Sequence, residues 1–279
     1  MINIKKILCA FMACALSAAI IGCGNNSQNS GSEQKNTDTV QSESGKTDDK
    51  EDVQLTISAA ASLKEAMADI ESEYKTEHPN VTLTFNFGSS GSLQKQIEQG
   101  APCDVFISAG QSQMKTLADE SLLISDTNKN LVKNQLVLVG PSDTEIKSVN
   151  DLTSDYVKHI AVGEPSSVPA GKYADEVLTN LNLKDSVSSK LTFAKDVKEV
   201  LAWTVSGNAE VGFVYKNDAL SSDSAKIIET LPEDSHSPIT YPAAVINSTK
   251  NEKDAKEFED FLFSDKCKSI FEKYGYEMA

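Results

Sequence analysis

Four helix starts, each entered from a turn of small, hydroxyl-bearing or capping residues, constrain this chain more than any other feature. The clearest is Phe87-Gly88-Ser89-Ser90-Gly91-Ser92-Leu93. Before it, Val81 to Phe87 alternates apolar and polar as a half-buried strand does. After it, Leu93, Gln96 and Ile97 begin a helical pattern that stops at Gly100-Ala101-Pro102. First-turn amides have no acceptor inside their own helix, and the helix dipole is positive there, so such a start suits an anion. Taken alone, the segment reads better as a serine-rich cap with no ligand. Repetition changes the weighing.

The first of the four follows the alternating strand Val53–Ser58. Ala59-Ala60-Ala61 leads to Ser62, after which Leu63, Ala66, Met67, Ile70 and Tyr74 mark one helical face. Ser62 and Glu65 have capping-box spacing, and a capping serine keeps its own proton free for a ligand. The third follows a strand at His159–Val162. There Gly163 to Gly171 opens a helix carrying Tyr173, Ala174, Val177, Leu178 and Leu181, with Pro169 where a missing N–H costs little. The fourth is Asp196, again spaced for a box with Glu199, ahead of Val197, Val200, Leu201 and Val205. Trp203 on this helix reads as core. The strand Glu210–Tyr215 ends on a tyrosine whose hydroxyl can donate into the same space.

Further strands are expected at 104–108, 135–139, 226–228 and 241–246, with helices at 112–120 and from Ala255 through Phe271. Strand and helix in alternation predict an α/β fold of parallel βα units. Ligands of open parallel sheets sit beyond the carboxyl ends of the strands. Ser62 and Ser90 present donors there from the first half of the chain; Ala170, Val197 and Tyr215 do so from the second. A cleft between two lobes satisfies that division.

The formal net charge of −15 argues against a nucleic-acid partner and a generally basic membrane-binding face. Every cationic residue is lysine, so any anion is held by neutral donors or lysine rather than by an arginine fork. His78, His159 and His236 have no zinc-site spacing.

Residues 1–22 read as an export signal: Lys5 and Lys6, then an apolar run from Ile7 to Ile21 that is short for a membrane span. Residues 23–52 are polar and charged, with Val40 the only large apolar side chain after Cys23, a composition expected to stay disordered as a leash. Cys103 and Cys267 are left to pair or to lie as buried free thiols.

Several stretches together resemble the molybdate-binding proteins of ABC import systems, members of the type II periplasmic-binding-protein fold. They are Ala59-Ala60-Ala61-Ser62-Leu63, Phe87-Gly88-Ser89-Ser90, residues 100–108, Ala161-Val162-Gly163-Glu164-Pro165 and Val168 to Ala174. Asp196-Val197, Gly212-Phe213-Val214-Tyr215 and Pro232 to His236 complete the set, which covers nearly all of 53–279. The resemblance implies two lobes, each a mainly parallel sheet flanked by helices, joined by two hinge crossovers. Lobe I would take 53–134 and 239–279, and lobe II 135–238. It implies oxyanion contacts from the hydroxyls of Ser62, Ser90 and Tyr215 and the amides of Ser62, Ser90, Ala170 and Val197. The metal, Mo or W, enters only as the oxyanion, and no cofactor is implied. Gly88 and Gly91 depart from the family by loosening the serine turn. Ile20-Ile21-Gly22-Cys23 resembles the lipobox of bacterial lipoproteins, implying lipidation at Cys23 and a place on the outer face of the cell membrane.

The expected function is therefore capture of molybdate, or tungstate, by a monomer that delivers it to a membrane permease. A fully deprotonated tetrahedral dianion only accepts hydrogen bonds, so a site of donors satisfies it. Sulfate shares that chemistry and is separated only by size. A competing reading is a lipid-anchored serine hydrolase using Ser90 with His236 and an aspartate, but Ser92 stands where a nucleophile elbow has its second glycine.

Overall fold

The computed structural model describes residues 51–279. The expected signal, Cys23 and all but the end of the 23–52 leash lie outside the described residues. In chain order the described part runs β1 (Val53–Ala60), α1 (Lys64–Glu77), β2 (Val81–Gly88), α2 (Ser90–Glu98), β3 (Val105–Ile107), α3 (Gln111–Asp119) and β4 (Lys129–Lys133). It continues with β5 (Leu136–Pro141), β6 (Ile160–Gly163), α4 (Pro169–Asn180), α5 (Lys184–Val187), β7 (Leu191–Ala194), α6 (Val197–Val205) and β8 (Val211–Tyr215). The last stretch is α7 (Lys216–Leu220), β9 (Ala225–Thr230), β10 (Thr240–Val245), α8 (Glu252–Leu262), α9 (Asp265–Lys273) and β11 (Glu277–Met278).

Two sheets form, in the orders β11-β4-β10-β3-β1-β2 and β7-β6-β8-β5-β9. Pairing is parallel among β1, β2 and β3 and among β6, β7 and β8. It is antiparallel wherever β10 or β5 takes part, so each sheet is mixed rather than mainly parallel. The reason lies in the route of the chain. It leaves the first sheet after β4, enters the second at β5, and returns from β9 to β10. At both passages the arriving strand runs against the βα units it joins.

Register does the positioning. β1 and β2 pair along their whole length, from Val53 opposite Val81 to Ala60 opposite Gly88. Their carboxyl ends are therefore level, and the helix starts at Ser62 and Ser90 emerge side by side. In the second sheet Gly163 lies opposite Ala194, which sets the starts of α4 and α6 level in the same way. Leu55, Ile57, Met67, Ile70, Phe258 and Phe271 are buried between the first sheet and its helices, and Val137, Val139, Val177, Val200 and Phe213 in the second. Each such side chain contributes about 1.5–3 kcal/mol by leaving water.

Some local expectations change. Ser62 does not cap α1: Ala61–Leu63 is a single 3-10 turn, and α1 starts after Leu63 without a side-chain cap. The expected closing helix is two helices, broken where Ser264 caps α9 by accepting from the Cys267 amide. Val149–Thr153 is a 3-10 turn closed by a box between Ser148 and Asp151. Cys103 and Cys267 are free and buried, and burial pushes both thiols up to about 11.

Candidate functional site

Ser62, Ser90, Ala170, Val197 and Tyr215 all line one cavity, joined by Ser89, Ala109, Val168 and Asp196. Its volume is about 10 Å³, near the room one water molecule needs. All five expected donors are buried, none more than 4 % exposed. The structure thus brings together both groups of residues named from the two halves of the sequence.

Each arrives by its own local physics. Ser89, extended and just outside α2, is the cap: its Oγ accepts from the Ser92 amide at 3.4 Å. Ser90 is thereby the first helical residue, with its amide in the turn that lacks intrahelical acceptors. Ser90 Oγ accepts from the Ala109 amide at 2.9 Å, which leaves its own proton to donate. Pro169 opens α4, so Ala170 follows in its first turn with an unencumbered amide. Asp196 caps α6 by accepting from the Glu199 amide at 2.9 Å, and Val197 is that helix's first residue. The wall therefore contains one carboxylate, whose Oδ1 is engaged by its own helix.

Tyr215 ends β8, and its hydroxyl donates to the Ala109 carbonyl at 3.3 Å. Burial holds that hydroxyl well above the ordinary tyrosine range, so it stays protonated. Ala109 thus touches two site residues at once, taking a hydrogen bond from Tyr215 and giving one to Ser90. Nothing in its sequence setting marks it, since its part is played by main-chain atoms after β3.

Behind Ser62 lies a polar cluster that the sequence reading also missed. Tyr241 Oη sits 3.0 Å from Ser62 Oγ. Asn217 Nδ2 and Tyr276 Oη each donate to the Ser62 carbonyl at 2.8 Å. Asn134 Nδ2 reaches Asn217 Oδ1 at 2.7 Å and Tyr241 Oη at 3.3 Å.

Contacts also cross directly from one sheet's segments to the other's. The Gly91 amide donates to the Ser167 carbonyl at 2.9 Å, and a Cβ on Gly91 would stand 2.6 Å from that oxygen. Gly91 is therefore a close-approach residue, not merely a loosening of the turn. Lys198, next to Val197, donates to Glu65 at 2.6 Å and lies 3.0 Å from Asp218 Oδ1. Asp218 is fully buried, and neither of its oxygens has a well-aligned hydrogen bond. Burial raises its carboxyl to about 6 against the pull of Lys198. For Lys198 burial acts downward, but the charges of Asp218 and Glu65 hold it net above its ordinary value.

The nucleophilic alternative finds no support in this geometry. Ser90 Oγ is engaged with a backbone amide. His236 contributes nothing to the cavity wall, and its Nδ1 lies 2.8 Å from the Ser237 carbonyl.

Residues 55–277 match the bacterial extracellular solute-binding protein family. The chain belongs to that family. Among its relatives, YvgL of Bacillus subtilis, named as an ABC transporter substrate-binding lipoprotein, is 44 % identical and aligns over 82 % of this chain and 88 % of its own. The molybdate-binding protein ModA of Escherichia coli is 40 % identical over 80 % of this chain and 88 % of its own. A solved substrate-binding domain assigned to a molybdenum ABC transporter of Clostridium difficile is 63 % identical. It covers 81 % of this chain and 99 % of its own with a TM-score of 0.65. The two-sheet arrangement is accordingly the type II periplasmic-binding-protein fold, and this solute-binding protein is no enzyme.

Proposed function

We propose that this solute-binding protein captures molybdate, with tungstate as a second ligand, in the cavity between its two sheets and delivers it to the permease of an ABC importer. The observation that carries the reading is the convergence of Ser62, Ser90, Ala170, Val197 and Tyr215 on one buried space. Those positions offer first-turn amides and hydroxyls, the donor set an acceptor-only dianion needs. The net negative charge does not oppose this, because short-range donors act in a closed, water-poor site. Sulfate accepts in the same way, and discrimination rests on the longer Mo–O and W–O bonds.

A cavity of about 10 Å³ must widen to admit a tetrahedral oxyanion. We assign that motion to lobe I, 53–134 with 239–279, and lobe II, 135–238, turning about the two passages between the sheets. The Tyr215 hydroxyl leaves the Ala109 carbonyl to serve the anion. A monomer anchored through Cys23 to the outer face of the cell membrane completes the proposal; the lipoprotein name of YvgL supports the anchor.

A thermal-shift series with molybdate, tungstate, sulfate, phosphate and buffer tests the reading, since a ligand bound only by the folded state raises Tm by mass action. Molybdate and tungstate should each raise Tm well beyond the other two. Equal shifts with sulfate or phosphate, or none with any anion, would overturn it.

A further inference from the structure

The cluster behind Ser62 fixes the direction of a hydrogen-bond chain. The Gln135 amide can only donate, and it does so to Asn134 Oδ1 at 2.8 Å. The amide group of Asn134 therefore turns its nitrogen toward Tyr241 and Asn217. A second end demands the same orientation. The Ser62 carbonyl can only accept, and it takes Asn217 Nδ2 at 2.8 Å. Asn217 must then offer Oδ1 to Asn134, at 2.7 Å, and Asn134 must answer with N–H. Its second N–H goes to Tyr241 Oη at 3.3 Å. An amide nitrogen cannot accept, so the Tyr241 proton is left with Ser62 Oγ at 3.0 Å or the neighbouring Tyr215 hydroxyl, and of the two only Ser62 stands in hydrogen-bond geometry. Burial keeps that tyrosine protonated. Ser62 is thus an acceptor at its back, and its own proton is turned toward the cavity.

We infer that Asn134 and Tyr241 are positioning residues that set Ser62 as a hydrogen-bond donor, and so bias the site toward anions that carry no proton. The inference rests on the oxyanion reading of the cavity. Asn134 lies between β4 and β5, on the passage between the two sheets, so the element about which the lobes turn also wires a donor of the binding site. Ser90 reaches the same polarity by a shorter route, accepting directly from the Ala109 amide. An anion bearing a proton, such as hydrogenphosphate, needs one acceptor in the wall, and the chain denies it the Ser62 lone pair.

Asn134→Asp reverses the chain where it meets Tyr241, at the cost of an oxygen set against Asn217 Oδ1, a cost that falls on both anions alike. A carboxylate accepts from the Gln135 amide and from Tyr241, so Tyr241 Oη accepts in turn from Ser62, which then shows a lone pair to the cavity. Tyr241→Phe removes the middle link and frees the Ser62 hydroxyl to rotate. Calorimetry on the whole chain should show the ratio of molybdate to hydrogenphosphate affinity falling by about tenfold or more in Asn134→Asp and by less in Tyr241→Phe. A loss of affinity equal for both anions, with the ratio unchanged, would make the cluster a mere support and overturn the inference. Neutron diffraction on the deuterated wild-type protein reads the chain without any ligand. Deuterium on Tyr241 directed at Ser62 Oγ supports it; deuterium on Ser62 directed at Tyr241 overturns it. Failure of the wild type to bind molybdate would count against the proposed function, while the deuterium positions would still decide the wiring.

Discussion

The two walls of the cavity hold their donors by different means. On the first-sheet side stand Ser62 and Ser90, whose hydroxyls can either donate or accept until something behind them decides. Both are backed by polar groups, Ser62 by Tyr241 and Ser90 by the Ala109 amide. On the second-sheet side Tyr215 brings a hydroxyl, but Ala170 and Val197 bring apolar side chains, and what they offer is the amide of a helix's first turn. An amide has only one polarity and needs no backing network. Its direction comes from the helix, which register with the sheet and the packing of Val177, Leu178, Val200 and Leu201 hold in place. Rigid scaffolding does for one wall what hydrogen-bond wiring does for the other.

Removing a donor from the amide wall should have the largest effect. Val197→Pro deletes one N–H at a position that tolerates proline. The residue is first in α6, and Asp196 before it is extended (φ −156°, ψ 171°), as a residue preceding proline prefers. Fold and ligand-free Tm should change little. Molybdate affinity, read by calorimetry, should fall by about 10- to 150-fold, the weight of one hydrogen bond to a charged acceptor. An unchanged affinity would remove Val197 from the site.

The serine wall should respond in a split way. Ser90→Ala strips the buried Ala109 amide of its acceptor, so it should cost about 1–3 kcal/mol of stability in addition to affinity. Ser62→Ala leaves behind a tyrosine hydroxyl that still accepts from Asn134 and can turn its proton toward Tyr215, and should cost less stability for a similar loss of binding. Thermal melts of the two variants without ligand test the order. A larger loss in Ser62→Ala would mean that the Tyr241 cluster is more structural than directional.

Legibility followed the same division. The amide wall could be read locally: Pro169 at a helix start, and Asp196 spaced three residues before Glu199, gave the elements that form. The same spacing misled at Ser62 and Glu65. There the short turn at Ala61–Leu63 delays α1, Tyr241 draws the serine oxygen away, and Glu65 turns to Lys198. The cluster behind Ser62 left no trace in sequence, because Asn134, Asn217, Tyr241 and Tyr276 come from four distant segments and meet only through the fold. β4 and β7 were missed for a plainer reason. Lys129-Asn130-Leu131-Val132-Lys133 buries two adjacent residues, and β7 is a half-exposed edge, so neither alternates.

The smallest expected effect concerns the bridge between the walls. Lys198 ties Glu65 on α1 to Asp218 on α7, beside the amide that Val197 presents. Folding raises the Asp218 carboxyl from an ordinary 3.8 to about 6, so the folded state holds its proton more tightly than the unfolded one. The contribution is fully stabilising below the unfolded value and is lost as pH rises through about 6. Between about pH 5 and about pH 7 that amounts to on the order of 1 kcal/mol, a few degrees in Tm for a protein of this size. Asp218→Asn has no such proton to lose. The wild-type Tm minus the variant's should therefore grow as pH falls across that window. A difference that stays flat, or shrinks toward acid, would mean that the pair with Lys198 dominates burial and keeps Asp218 ionised. Lys198, which reaches across to Glu65, would then be held from behind by a permanent ion pair rather than by one that acid releases.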